Sequence, residues 1–135
     1  MTLEEFIHTW KTLGSAPRLH DTMNLENLIE NFHAWGAERR LHDTIDLLPQ
    51  LAKLGEEYGE LCAGVARNDE RQIMDAVGDM IVVLTQLGAV ADTRFMRDVD
   101  GQYLNRAALH AWEQIKVRTG KTVDGVFLKD IAYIT

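Results

Sequence analysis

Cysteine is almost missing from this chain: Cys62 stands alone, so no disulfide can form within it. On an apolar helical face, that residue reads as a small core side chain rather than a nucleophile. Proline occurs only at Pro17 and Pro49, which leaves long stretches free to be helical. The five histidines, His8, His20, His33, His42 and His110, form no His-x-x-x-His pair, so a zinc site is not indicated. A glycine-rich phosphate loop is also missing, which sets aside the P-loop enzymes. The most apolar run begins Met80-Ile81-Val82-Val83-Leu84 and is broken by Thr85 and Gln86 before Ala91. It reads as a buried core helix rather than a membrane span. Positive charge is in short supply, with 14 Lys and Arg against 21 Asp and Glu and a formal net charge of −7. That balance argues against nucleic-acid binding, which needs a basic footprint. It leaves room for a small anionic substrate if metal ions cancel the local carboxylate charge. The chain opens Met1-Thr2-Leu3-Glu4-Glu5, acidic where an export signal would be basic. The expectation is a cytoplasmic protein with neither a membrane nor a nucleic-acid partner.

What the chain does have is helical periodicity. Its 135 residues and 46% hydrophobic content suit one compact domain. A first helix is predicted from Thr2 to Leu13, with Glu5 completing a capping box and Gly14 as its stop. Ser15 to Asp21 reads as a loop around Pro17. A second helix covers Leu25 to Arg40, with Leu25, Leu28, Ile29, Phe32 and Trp35 on one face. A third runs from Leu47 to Arg67, with Pro49 in its first turn. Along it Leu47, Leu48, Leu51, Leu54, Tyr58, Leu61, Cys62 and Val65 form a stripe stepping by three or four. Arg67-Asn68-Asp69 is a tight connection, with Asp69 and Gln72 as a capping box for a fourth helix, Glu70 to Ala91. Short loops make consecutive helices antiparallel neighbours. The stretch Asp92 to Gly101 crosses to a fifth helix, Tyr103 to Arg118, which Gly120 ends. Asp124-Gly125 between apolar residues signals a small hairpin in the tail. The predicted fold is an all-α antiparallel helical bundle in a single domain, 1–135. Residues 1–24 form an extension, 25–120 the core helices and 121–135 the tail.

The chemistry lies in acids on the third and fourth helices. In Lys53-Leu54-Gly55-Glu56-Glu57-Tyr58-Gly59-Glu60, Glu57 and Glu60 share a face, as do Glu56 and Glu60. In Asp75-Ala76-Val77-Gly78-Asp79 the two aspartates lie one turn apart. Like charges at these spacings repel, so folding alone gives no reason to cluster them; a divalent cation reverses the sign. Asp79 leads into the most apolar run and is expected to be unusually buried, and buried charge needs a partner. Antiparallel helices would let these carboxylates converge, and hard oxygen ligands with places left for water and phosphate suit magnesium. Gly55, Gly59, Gly64 and Gly78, each about 1 kcal/mol less favourable than Ala in a helix, would allow close approach or leave room for ligand. Glu56 stands between a solvated surface residue and a ligand.

Glu56-Glu57-Tyr58-Gly59-Glu60 resembles the Glu-Glu-x-x-Glu half of the MazG-type all-α nucleotide pyrophosphohydrolase signature. The other half is usually Glu-x-x-Asp; here it reads Ala76-Val77-Gly78-Asp79, with Asp75 one position earlier. Phe32 to Arg39 resembles the first core helix of compact MazG-like proteins of phages and bacteria. Glu113 to Lys121 resembles their C-terminal basic motif, with Glu113 where Asn is usual. The likeness covers residues 28–130.

The resemblance implies magnesium, or manganese in its place, held by Glu57, Glu60 and Asp79 with Asp75 as replacement ligand. It implies a water attacking the α–β linkage of a nucleoside triphosphate, which yields monophosphate and pyrophosphate. Glu57, and Glu56 as ligand or water-orienting group, would be catalytic. It also implies a homodimer or homotetramer. Lys116, Arg118 and Lys121 would meet phosphate oxygens, although cations also decorate helix C-termini without any ligand. Lys53 can pair with Glu57 or contact phosphate. Trp35, Trp112 and Phe32 are base-stacking candidates or core residues. A phosphoribosyl-ATP pyrophosphatase and a catalytically degenerate interaction protein are the alternatives.

Overall fold

A computed structural model describes residues 2, 4–5, 7–8, 23–95 and 103–131. Glu4, Glu5, Ile7 and His8 are helical. The capping box is formed there: Thr2 N donates to Glu5 Oε2 at 2.7 Å, and Glu5 N to Thr2 Oγ1 at 3.1 Å. The rest of that predicted helix, its Gly14 stop and the loop at Pro17 lie outside the described residues.

Four further helices follow, α1 (Leu25–Glu38), α2 (Leu48–Arg67), α3 (Glu70–Phe95) and α4 (Tyr103–Ile115), then β1 (Gly120–Val123) and β2 (Val126–Lys129). The described chain is thus mostly helical with one small antiparallel hairpin. Each helix starts where a short side chain can take up an otherwise unmet N–H. Asn24 Oδ1 accepts from Asn27 N at 2.9 Å to open α1. Asp69 Oδ1 accepts from Gln72 N at 3.1 Å to open α3. The predicted box at Asp69 is only half made, because the Gln72 carboxamide donates to the Glu60 carbonyl at 3.2 Å instead. That bond pins the two helices together beside their turn. The turn itself uses Asn68 in the left-handed region, φ 53°, with its N–H returning to Gly64 and Val65 carbonyls.

α3 is longer than expected. It passes Ala91 and Asp92 and ends at Phe95, while α4 stops at Ile115, short of Arg118. At 26 residues α3 is long and apolar enough to cross a membrane by length and composition alone. Here it is the central element: α1, α2 and α4 all pack on it. Among the described residues, the buried apolar side chains, Ala76, Val83, Ala89, Val90 and Ala91, all lie on α3. Gly64 lets α2 approach closely, since a Cβ there would sit 3.1 Å from Ile73 N. Gly55, Gly59 and Gly78 face open space instead.

A polar clamp holds α1 and its exit loop. Gln86, only 2% exposed, donates to the Phe32 carbonyl at 2.8 Å and meets His42 Nε2 through Oε1 at 2.6 Å. Gly36 makes room for it, because any Cβ there would overlap the Gln86 carboxamide. His33 stacks at a tilt on His42, 4.7 Å between centroids. Burial and the neighbouring His42 lower its basicity against the opposing pull of Asp92.

The predicted stripe on α2 divides in two. Leu47, Leu54 and Leu61 are half-buried, whereas Leu48, Leu51, Tyr58 and Val65 are exposed. Cys62 belongs with the exposed set and is not a core residue. The hairpin forms as expected: Gly120 pairs with Lys129 and Val123 with Val126. Asp124 and Gly125 both take positive φ, 50° and 78°, as a two-residue hairpin turn requires.

Candidate metal centre

α2 and α3 run side by side as a helical hairpin, and their facing sides bring acids from both into one place. One carboxylate oxygen each from Glu57, Glu60 and Asp79 lies within 4.8 Å of the others. Among the described residues, this is the one group of three or more His, Cys, Asp or Glu that fits a metal ion. The burial is the reverse of the sequence expectation. Glu57 is buried, with its side chain 6% exposed, while Asp79 is an exposed residue. The reason is position: Glu57 sits under the α2–α3 contact, whereas Asp79 lies at its rim.

Charge is poorly compensated here. Glu57 Oε1 has Lys53 Nζ at 3.5 Å, but its Oε2 is fully buried without a hydrogen-bond partner. A buried carboxylate oxygen left unpaired is costly, and a bound cation removes the cost. Partial desolvation pushes the Asp79 carboxyl above its ordinary range, and the charges of Glu57 and Asp75 add to this, against a smaller opposite effect of Lys53. An all-carboxylate set of hard oxygen donors could hold a divalent cation, and its chemistry suits a hard ion rather than a soft one.

The other predicted acids stand outside the trio. Asp75 is exposed and acts on Asp79 through its charge alone. Glu56 is exposed and pairs with Lys53 at 3.1 Å. Ala76, where the resemblance leads one to expect Glu, is fully buried. Lys53 therefore bridges Glu56 and Glu57 on the edge of the cluster.

Of the predicted phosphate contacts, Lys53 stands beside these acids, whereas Lys116, Arg118 and Lys121 lie on or next to elements that do not contact α2. Lys116 pairs with Glu113 one turn earlier, and Arg118 reaches Gln114 at 3.4 Å. Lys121 lies on β1. Among the described elements, the strands contact only each other and α4 contacts only α3. The aromatics are not core: Trp35 is 45% exposed and Trp112 55%. Arg39 covers the Trp35 ring at 4.3 Å. Phe32 is half-buried. The His33, His42, Gln86 and Asp92 cluster was not singled out from sequence. Its signal was present in Gln86 and Asp92, two polar residues inside the most apolar helix.

No family model matches the chain, and no solved structure does. It is similar to an uncharacterized 18.2 kDa protein in the rep-hol intergenic region of Haemophilus phage HP1, with 53% identity over 38 residues. That match spans 28% of this chain and 23% of the phage protein.

Proposed function

We propose that this protein is a magnesium-dependent nucleoside triphosphate pyrophosphohydrolase of the MazG-like all-α type, releasing pyrophosphate and a nucleoside monophosphate. The observation that carries the reading is the convergence of Glu57, Glu60 and Asp79, one of which, Glu57, also has a buried carboxylate oxygen with no partner. Repelling charges gathered in this way are stabilised by a cation, and triphosphate hydrolysis uses one. When bound, magnesium supplies water activation and neutralises the charge of the leaving pyrophosphate.

The chain's own groups have separate tasks in this reading. Glu57, Glu60 and Asp79 would hold the metal. Asp75, one turn from Asp79, would add negative charge beside the site. Glu56, exposed beside the cluster, accepts a proton from the attacking water or orients it. Lys53, flexible and exposed, exchanges its carboxylate partners for a phosphate oxygen. Trp35 would be free to stack on a base only if the Arg39 guanidinium that covers its ring moved aside. The active form is a homodimer or homotetramer, supported by the exposed apolar residues of α2.

A screen of canonical and modified nucleoside triphosphates, with phosphoribosyl-ATP included, tests the reading through pyrophosphate release with magnesium. Release from a nucleoside triphosphate that stops on chelation supports it. Release from phosphoribosyl-ATP alone assigns the related enzyme. The buried Ala76 favours one further reading, a degenerate interaction protein, which the absence of any release would support.

A further inference from the structure

Two buried polar side chains of α3, Gln86 and Asp92, take no part in the proposed hydrolysis. Gln86 bonds His42, and Asp92 lies near enough to act on His33 through its charge. Gln86 has no freedom of orientation. The Phe32 carbonyl only accepts, so the amide nitrogen of Gln86 must turn toward it, at 2.8 Å. The amide oxygen then faces His42, and Nε2 of that ring must carry the proton that it donates across 2.6 Å. A neutral His42 is thereby fixed in one tautomer, with Nδ1 bare. Asp92 is short of partners. Its Oδ2 accepts from Tyr103 N at 3.3 Å, where α4 begins, and its Oδ1 is buried with none.

His33 sits between these groups. Its ring meets His42 at 4.7 Å between centroids, so both rings cannot be charged without strong repulsion. From α3, Asp92 draws a proton onto His33, while Gln86 brings no charge. On α1 itself, Glu30 lies one turn back and is exposed. The other charged groups of the loop and its neighbours are engaged at the rim. Arg40 pairs with Asp43 at 2.6 Å, Asp46 accepts from Leu48 N, Arg39 donates to the Trp35 carbonyl, and Arg94 donates to the Ile45 carbonyl. Burial and His42 outweigh Asp92, so the closed arrangement holds His33 below its ordinary range.

We propose that His33, His42, Gln86 and Asp92 form a proton-operated latch, which pins residues 39–47 on α3 in neutral solution and lets them go in mild acid. Once released, His33 regains its ordinary value of 6.5, so the open form binds a proton that the closed form refuses. The closed form is therefore fully favoured above that value and loses ground as pH falls below it. The bonds at the rim, from Thr93 Oγ1 to the His42 carbonyl and from Arg94 to the Ile45 carbonyl, do not titrate in this range and do not set the trigger. The released segment joins α1 to α2, the helix that carries Glu57 and Glu60. The latch does not depend on the hydrolase reading.

Amide hydrogen exchange on the full chain, corrected for the intrinsic pH dependence of exchange, tests the proposal. Leu41 N donates to the Gly36 carbonyl at 3.0 Å and reports the loop; Val90, fully buried, reports the core of α3. As pH falls by about two units to about 5.5, the protection of Leu41 should drop several-fold. The limit is about tenfold, for one histidine that titrates at its ordinary value only when open. Val90 should keep its protection. His33→Gln, which cannot titrate, should remove the pH dependence at Leu41. Asp92→Asn should steepen it, because it keeps an acceptor for Tyr103 N and takes away the charge that favours a proton on His33. Leu41 protection that does not change with pH, or an equal loss at Leu41 and Val90, overturns the latch. So does a fall that persists in His33→Gln, or one that is no steeper in Asp92→Asn. Should either variant fail to fold, proton NMR titration of the His33 ring in the wild type decides the matter. A midpoint below 6.5 supports the latch, and one at or above it overturns the latch.

Discussion

Replacing Glu57 with Gln reverses the order of stability between metal-free and metal-bound protein. Without metal, Glu57 carries a buried charge whose Oε2 has no partner and whose Oε1 has only Lys53, at 3.5 Å. An unpaired buried acceptor costs about 1–3 kcal/mol, and more when charged. Glutamine keeps the shape, removes the charge and relieves the repulsion of Asp79. It leaves an amide that is itself imperfectly paired, so only part of the cost is recovered. The net gain should be about 1 kcal/mol, which raises the melting temperature by about 3–5 °C for a domain of this size. With saturating magnesium the wild type gains more. At a hundredfold excess over the dissociation constant, binding to the folded state alone adds about 2.7 kcal/mol, whereas the variant has lost a direct ligand and gains little. Thermal melts followed by circular dichroism, in chelator and in magnesium, read both quantities. The variant should melt above the wild type in chelator and below it in magnesium. A variant that melts below the wild type in chelator refutes the orphaned-charge argument. Equal stabilisation of both proteins by magnesium refutes the ligand assignment.

The raised Asp79 carboxyl makes the metal-free fold bind a proton more tightly than the unfolded chain does. Its stabilising contribution is therefore complete below the ordinary carboxylate range and is lost as pH rises through the raised value. Urea midpoints in chelator should show that loss in the wild type and not in Asp79→Asn; identical pH profiles for the two would defeat the assignment. Asp79→Ala should abolish turnover, while Asp75→Ala, outside the carboxylate trio, should lower the rate and weaken the magnesium dependence less severely. Adding Ala76→Glu to Asp75→Ala should recover part of the rate, and a wild-type Asp75→Ala enzyme would remove that residue from the site. Gly36→Ala forces the Gln86 carboxamide and His42 Nε2 apart, because the new Cβ overlaps the one and lies 2.8 Å from the other. It should cost about 1–3 kcal/mol of stability, and an unchanged denaturation midpoint would show the clamp to be adaptable.

Much of the local structure was legible from residue order. Thr2 with Glu5, Asn68 before Asp69, and Asp124-Gly125 are short-range signals. Their hydrogen bonds and backbone angles close within a few residues, so no distant contact is needed to set them. The apolar spacing of α2 and α3 identified both helices for the same reason, and the acid pairs followed from helical geometry. That spacing states which residues share a face, but not which face meets a neighbour. On α2 the single stripe divided, with Leu54 and Leu61 turned inward and Leu51, Tyr58 and Cys62 outward. The same limit reversed the burial of the acids. Asp79 adjoins the apolar run in sequence, but Glu57 is the residue covered where α2 crosses α3. Likewise, Arg118 and Lys121 follow their helix by spacing alone, and only the course of α4 separates them from the carboxylates of their own chain. Periodicity along the chain determined the elements and the composition of each face. The packing of one helix on another decided which charges lie buried, because burial depends on the neighbouring surface rather than on the local sequence.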